Sequence, residues 1–172
     1  MMEVSVNPII YGKPKPVKAL KTKKRVSKVS SRGKLISTAH ALMREIVIAR
    51  DEKCVCPPTK NGHSSTLQAG HLIKSTKGAV RWDLFNVHAQ CSACNQRHVH
   101  YEKYYTKWFV EKFGGEEYVR LCNLSDGVGL KNYELDELIV QFKLIRQRQI
   151  EDKDFRPYFT QSEIMSGAWS IK

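Results

Sequence analysis

Between Gln68 and His98 the sequence reads QAGHLIKSTKGAVRWDLFNVHAQCSACNQRH. His71, Asn86 and Asn95 lie 15 and 9 residues apart in it. Their types suit hydrolysis of a phosphodiester. A neutral imidazole can take a proton from water. A divalent cation on oxygen ligands, an asparagine carbonyl among them, can stabilise charge on phosphorus and on the leaving oxygen. A second asparagine can orient the histidine by hydrogen bonding. A lone strand histidine is more often surface or satisfied core, so the inference rests on the trio.

Four of the five cysteines fall in two close pairs, Cys54 with Cys56 and Cys91 with Cys94. Zinc needs four deprotonated nitrogen or sulfur ligands at tetrahedral positions. Cys91 and Cys94 have the usual Cys-x-x-Cys spacing, while Cys54 and Cys56 are one residue tighter, with His63 a possible replacement for either. The 34 residues between Cys56 and Cys91 are enough for a hairpin clamped at its base. A zinc closed by four such ligands has no open position and is structural. The plainer reading is four free buried thiols; Cys122 reads as core.

Several elements must hold these residues. Leu35 to Arg50 is expected as a helix with Leu35, Ala39, Leu42, Ile46 and Ala49 on one face. Residues 54–66 are turn-rich. Leu67–Lys74 and Arg81–Gln90 read as two strands around a loop at Ser75–Gly78. From Cys94 the chain is expected to turn helical, with Tyr101, Tyr104, Tyr105, Trp108 and Phe109 as a core stripe up to Gly114-Gly115. A short helix over Glu116–Leu121 and a turn at Ser125–Gly129 follow. Asn132 is expected to cap a last helix ending near Asp152, with Leu135, Leu138, Ile139, Phe142 and Ile145 buried. A hairpin closing onto the helix after Cys94 would bring His71, Asn86 and Asn95 together. His40 reads as packing and His100 as surface.

The formal charge is +12, yet residues 11–34 hold ten Lys and Arg and no acid, so the rest carries only +2. Residues 1–34 therefore read as a disordered basic arm, 35–152 as one domain and 153–172 as a C-terminal tail. The arm, with Lys21, Lys23, Lys24 and Arg25, suits a polyanion such as DNA. Arg81 is a candidate phosphate contact or an ion-pair partner of Asp83. No apolar run approaches the length of a membrane span, and the first residues lack a signal pattern. An intracellular location is expected.

QAGH, then RWDLFNVHAQC, then CNQRH resembles the HNH, or ββα-metal, endonucleases, and more narrowly the lambdoid-phage NinG (Rap) recombination endonucleases, over about residues 35–152. The resemblance implies an α+β fold with a zinc-stabilised ββα-metal core and flanking helices. It implies His71 as general base, Asn86 as the residue bracing the loop and positioning His71, and Asn95 as ligand of a catalytic Mg²⁺ or Mn²⁺. It gives Cys54, Cys56, Cys91 and Cys94 to the structural zinc. Many HNH enzymes have an Asp or His ligand just before the catalytic histidine; here that residue is Gly70. His98, three residues after Asn95, is the candidate second ligand; His88 is another, and Gln68 and Asp83 are weaker. The implied substrate is branched DNA, such as Holliday or D-loop junctions. Cutting both strands of a junction needs two active sites, so a homodimer through residues 133–152 is expected. The alternatives are a duplex-specific HNH endonuclease and a zinc-stabilised DNA-binding protein without catalysis.

Overall fold

The computed structural model describes residues 31–57, 63–96 and 98–170, with backbone alone at 98–101. The first helix, α1, spans Ser31–Asp51, so the last residues assigned to the arm are helical. Lys21, Lys23, Lys24 and Arg25 lie outside the described residues. A two-stranded antiparallel sheet follows, β1 (Leu67–His71) against β2 (Val87–Cys91), with Gln68 opposite Gln90 and Gly70 opposite His88. Then come α2 (Ser92–Gln96), α3 (His98–Phe113), α4 (Gly115–Leu124), α5 (Asn132–Glu151) and α6 (Gln161–Ser166). The fold is mixed α+β, with a sheet of two strands.

Alternation of side chains gives the sheet two different faces. Ala69, Val87 and Ala89 pack against α1, where Ala39, Met43, Ile46 and Val47 are buried. The same helix lies along α5, whose Leu135, Leu138, Ile139, Phe142 and Ile145 are the buried stripe that helical periodicity demands. Burying each large apolar side chain contributes about 1.5–3 kcal/mol before conformational entropy is charged. A second core, Leu72, Val80, Tyr105, Phe109 and Leu121, joins the loop after β1 to α3 and α4.

Three boundaries differ from expectation. The first strand stops at His71, because the Leu72 N–H donates to the Asn86 carbonyl and closes the loop instead. Residues 81–86 are turns, not strand. Asp83 makes that turn: its side chain accepts from the Phe85 N–H and its carbonyl from the Asn86 N–H. Asn132 is the first residue of α5 and does not cap it. Its Oδ1 accepts from Arg32, and Glu134 accepts the Lys131 backbone N–H.

The segment after α5 belongs to the core. Phe159, Ile164 and Trp169 are buried against α1 and α5. The Leu84 N–H donates to the Phe159 carbonyl, and Trp169 Nε1 donates to Gln141. Arg50 stitches the parts together from within. It pairs with Asp51 and donates to the carbonyls of Leu84, Val87 and Pro157. A buried guanidinium is tolerated only because its donors and charge are so fully matched.

Candidate functional site

The hairpin base holds a cluster of four donors. Cys54 precedes β1, His63 stands in the segment leading to it, Cys91 ends β2, and Cys94 lies one turn into α2. Their ligand atoms all fall within 4.8 Å of one another. That set, three sulfurs and an imidazole, can hold a structural metal such as zinc. A bond from Cys56 holds the Cys54 thiol down to about 4, burial pushes Cys94 up to about 12, and Cys56 is raised by its bond to Cys54 and by burial. A dication would displace the protons these crowded sulfurs share. Three of the four cysteines expected as ligands, Cys54, Cys91 and Cys94, are in this set. His63 joins the group in place of Cys56, whose sulfur accepts from Gln90 Nε2 at 3.3 Å. The Cys56 sulfur also bonds to Cys54 at the edge of the cluster, while His63 Nδ1 comes within 3.6 Å of Cys91.

His71 ends β1 on the face toward α1. Its Nε2 lies 3.0 Å from the Arg81 carbonyl. Its ring meets that of His40, 5.9 Å away and roughly edge-on. His40 in turn stacks against Trp82, and its Nε2 accepts from Arg81 Nε at 3.1 Å and Nη2 at 2.8 Å. Burial, then the Arg81 charge, lowers His40 to about 4, so it is neutral near pH 7. Arg81 does not pair with Asp83. That carboxylate, raised by burial, takes Arg120 at 3.0 Å.

Asn86 is fully buried and braces the loop between the strands. Its Oδ1 accepts from the Ile73 N–H at 2.7 Å, and its Nδ2 donates to the carbonyls of Ile73 at 3.0 Å and Val80 at 2.9 Å. Both ends of the loop that carries Arg81 are thereby tied to one side chain. Asn95, on α2, donates from Nδ2 to Gln68 Oε1 at 2.8 Å. Gln68 and His71 leave β1 on opposite faces. The contacts thus join the predicted residues in two groups, His71 with Asn86 and the loop, and Asn95 with Gln68. The His98 side chain lies outside the described residues.

The face opposite His71 explains Gly70. A Cβ there would stand 2.0 Å from Gln90 Oε1. Beside it His88 is wholly buried among Tyr105, Trp108, Phe109 and Phe113. Tyr105 donates its hydroxyl proton to the Gly70 carbonyl, so His88 Nδ1, 2.9 Å away, is the donor to that hydroxyl. This position does not suit His88 as a second ligand of the catalytic metal; it is a neutral core histidine, its pKa pushed well down by burial.

The sequence matches the family described as Bacteriophage Lambda NinG protein over residues 13–152. The chain belongs to the NinG family. No curated protein and no solved structure matches it. The NinG match spans both metal-cluster pairs, His71, Asn86 and Asn95, and stops where α5 ends. Among the described residues of this NinG-family chain, no helix is long and apolar enough to cross a membrane. The sequence around His40 is apolar and reads as packing, because the residue that engages its ring, Arg81, is 41 residues away. From spacing alone His63 is only a substitute ligand; its place in the short segment before β1 is the signal the sequence offers.

Proposed function

We propose that the protein is a metal-dependent DNA endonuclease of the HNH, or ββα-metal, class, acting on branched recombination intermediates such as Holliday or D-loop junctions. The observation that carries the reading is the 3.0 Å contact between His71 Nε2 and the Arg81 carbonyl. A peptide oxygen only accepts, so Nε2 holds the proton and the basic lone pair is on Nδ1. Nδ1 takes a proton from water as the oxygen attacks phosphorus. The bond from phosphorus to the leaving oxygen breaks, and that oxygen is protonated by solvent. Asn86 serves by fixing the loop that holds the Arg81 carbonyl.

The resemblance also calls for a catalytic Mg²⁺ or Mn²⁺. Asn95 fits, since Gln68 anchors its nitrogen and its carbonyl is a hard oxygen donor. Asn95 would be the ligand of the ion. When bound, it would stabilise charge on the leaving oxygen. Two strands need two such sites, so we further propose a homodimer through the outer side of α5, where Val140 and Leu144 are about half exposed.

One observation favours a second reading, a zinc-stabilised DNA binder without catalysis: Gly70 offers no ligand, and Gln90 fills the space. Incubation of a labelled four-way junction and a matched linear duplex with Mg²⁺, Mn²⁺ or neither separates the readings. Junction cleavage that needs metal and is lost in His71→Ala, with binding kept, supports the proposal. Equal cutting of the duplex favours a duplex-directed enzyme. Binding without cutting under every condition favours the binder.

A further inference from the structure

We propose that Arg32 and Arg81 form a two-cation site for a DNA phosphodiester beside His71, with His40 and Asn132 as positioning residues. The inference rests on the reading of DNA as substrate. Both arginines line one cavity of about 220 Å³, shared with Thr76, Gly78 and Leu130. It opens between the start of α1, the loop after β1 and the start of α5.

Each guanidinium is anchored on neutral acceptors. Arg81 donates to His40 Nε2 through two nitrogens. Arg32 donates to Asn132 Oδ1 at 2.7 Å and to the Leu130 carbonyl at 2.8 Å. Among the described residues neither meets a carboxylate, as is also true of Arg44 and Arg148, whereas Arg50, Arg120, Arg146 and Arg156 each have one. Anchoring therefore sets direction without cancelling charge. Arg81 is lowered from its ordinary value by burial and then by the Arg32 charge, which marks the two as mutually repelling. An anion between them would relieve that repulsion. A guanidinium has five donors in a planar fork, so each arginine keeps some to offer phosphate oxygens.

The position relates the site to the chemistry. The same Arg81 whose side chain faces the cavity gives its carbonyl to His71. The Arg81 guanidinium also rests on His40, whose ring is 5.9 Å from that of His71, so a phosphodiester held there would be linked to the proposed base through one imidazole.

The test is fluorescence anisotropy of the full chain on a labelled four-way junction, without added divalent metal, across a salt series. Each phosphate neutralised contributes about 0.9 to the slope of log K against log salt. Arg32→Gln and Arg81→Gln are each expected to flatten the slope by about that amount, and the double variant by about twice it. Arg156→Gln, whose partner is Glu52, should leave it unchanged. His40→Glu would set a carboxylate on Arg81 and should reproduce Arg81→Gln, whereas His40→Gln, a neutral acceptor, should stay near wild type. Circular dichroism and zinc content report folding for every variant. Unchanged slopes in Arg32→Gln and Arg81→Gln would overturn the site, as would full binding by folded His40→Glu or a wild type that does not bind DNA. Normal slopes and losses from a protein that cuts nothing would keep the phosphate site and reject the nuclease.

Discussion

Replacing Asn86 by alanine tests the bracing of the loop. The substitution removes three hydrogen bonds of the buried Asn86 side chain, of 2.7, 3.0 and 2.9 Å, two of them part-buried, and strands the Ile73 N–H and the Ile73 and Val80 carbonyls. A bond of this kind contributes about 0.5–1.5 kcal/mol net, and an orphaned buried group costs about 1–3 kcal/mol. Val80 keeps a second bond, from the Asp83 N–H, and a water can enter the space left behind. The expected loss is therefore about 3 kcal/mol, below the simple sum. With an m-value of about 2 kcal/mol/M, the urea midpoint followed by tryptophan fluorescence should fall by about 1.5 M. Asn86→Asp should be no better, because a carboxylate keeps the Ile73 N–H but faces two carbonyls without a donor. A misplacement of about 1 Å at the Arg81 carbonyl should also cost about a hundredfold in junction cleavage. A midpoint shift worth less than about 0.5 kcal/mol in Asn86→Ala would refute the reasoning.

Three further outcomes follow from the hairpin. Elemental analysis should find one zinc per chain, lost in Cys94→Ser and kept in Cys56→Ser; equal loss in both would put Cys56 in the ligand set. Gly70→Ala should cost about 1–3 kcal/mol by pushing Gln90 off Cys56, and Gln90→Ala should rescue it. Additive losses in urea unfolding would mean that the two side chains do not compete. His88 is depressed in the fold and ordinary, near 6.5, when unfolded, so below pH 6.5 the unfolded chain binds the extra proton. Its contribution is intact above 6.5 and declines as pH falls, at up to about 1.4 kcal/mol per pH unit. Urea midpoints from pH 7 to 5 should fall less steeply in His88→Gln than in wild type, and parallel curves would count against a buried neutral His88.

The periodic elements were legible because their physics is local. The stripe Leu135, Leu138, Ile139, Phe142 and Ile145 is buried as its spacing requires, and Tyr105 and Phe109 are buried on α3. Trp82 and Leu84 misled for the same reason. Their alternation mimics a strand, but the Asp83 side chain closes a turn that leaves both buried without a ladder. The residues around the candidate site depend on distant partners. His40 is defined by Arg81, Asp83 by Arg120, and Gly70 by Gln90, and no local pattern encodes those meetings. Nor did periodicity mark the end of the chain, where Phe159, Ile164 and Trp169 lie on and around the six-residue α6, too short to show a stripe, and close the main core.

The central claim is that His71 is the base that activates water. Its most direct test is single-turnover cleavage of a labelled four-way junction with Mg²⁺ by wild type and His71→Gly, with and without added imidazole. The account predicts that His71→Gly binds the junction as wild type does, cuts it about 10²–10⁴-fold more slowly, and regains activity as imidazole is added. Cleavage by His71→Gly at the wild-type rate would contradict it.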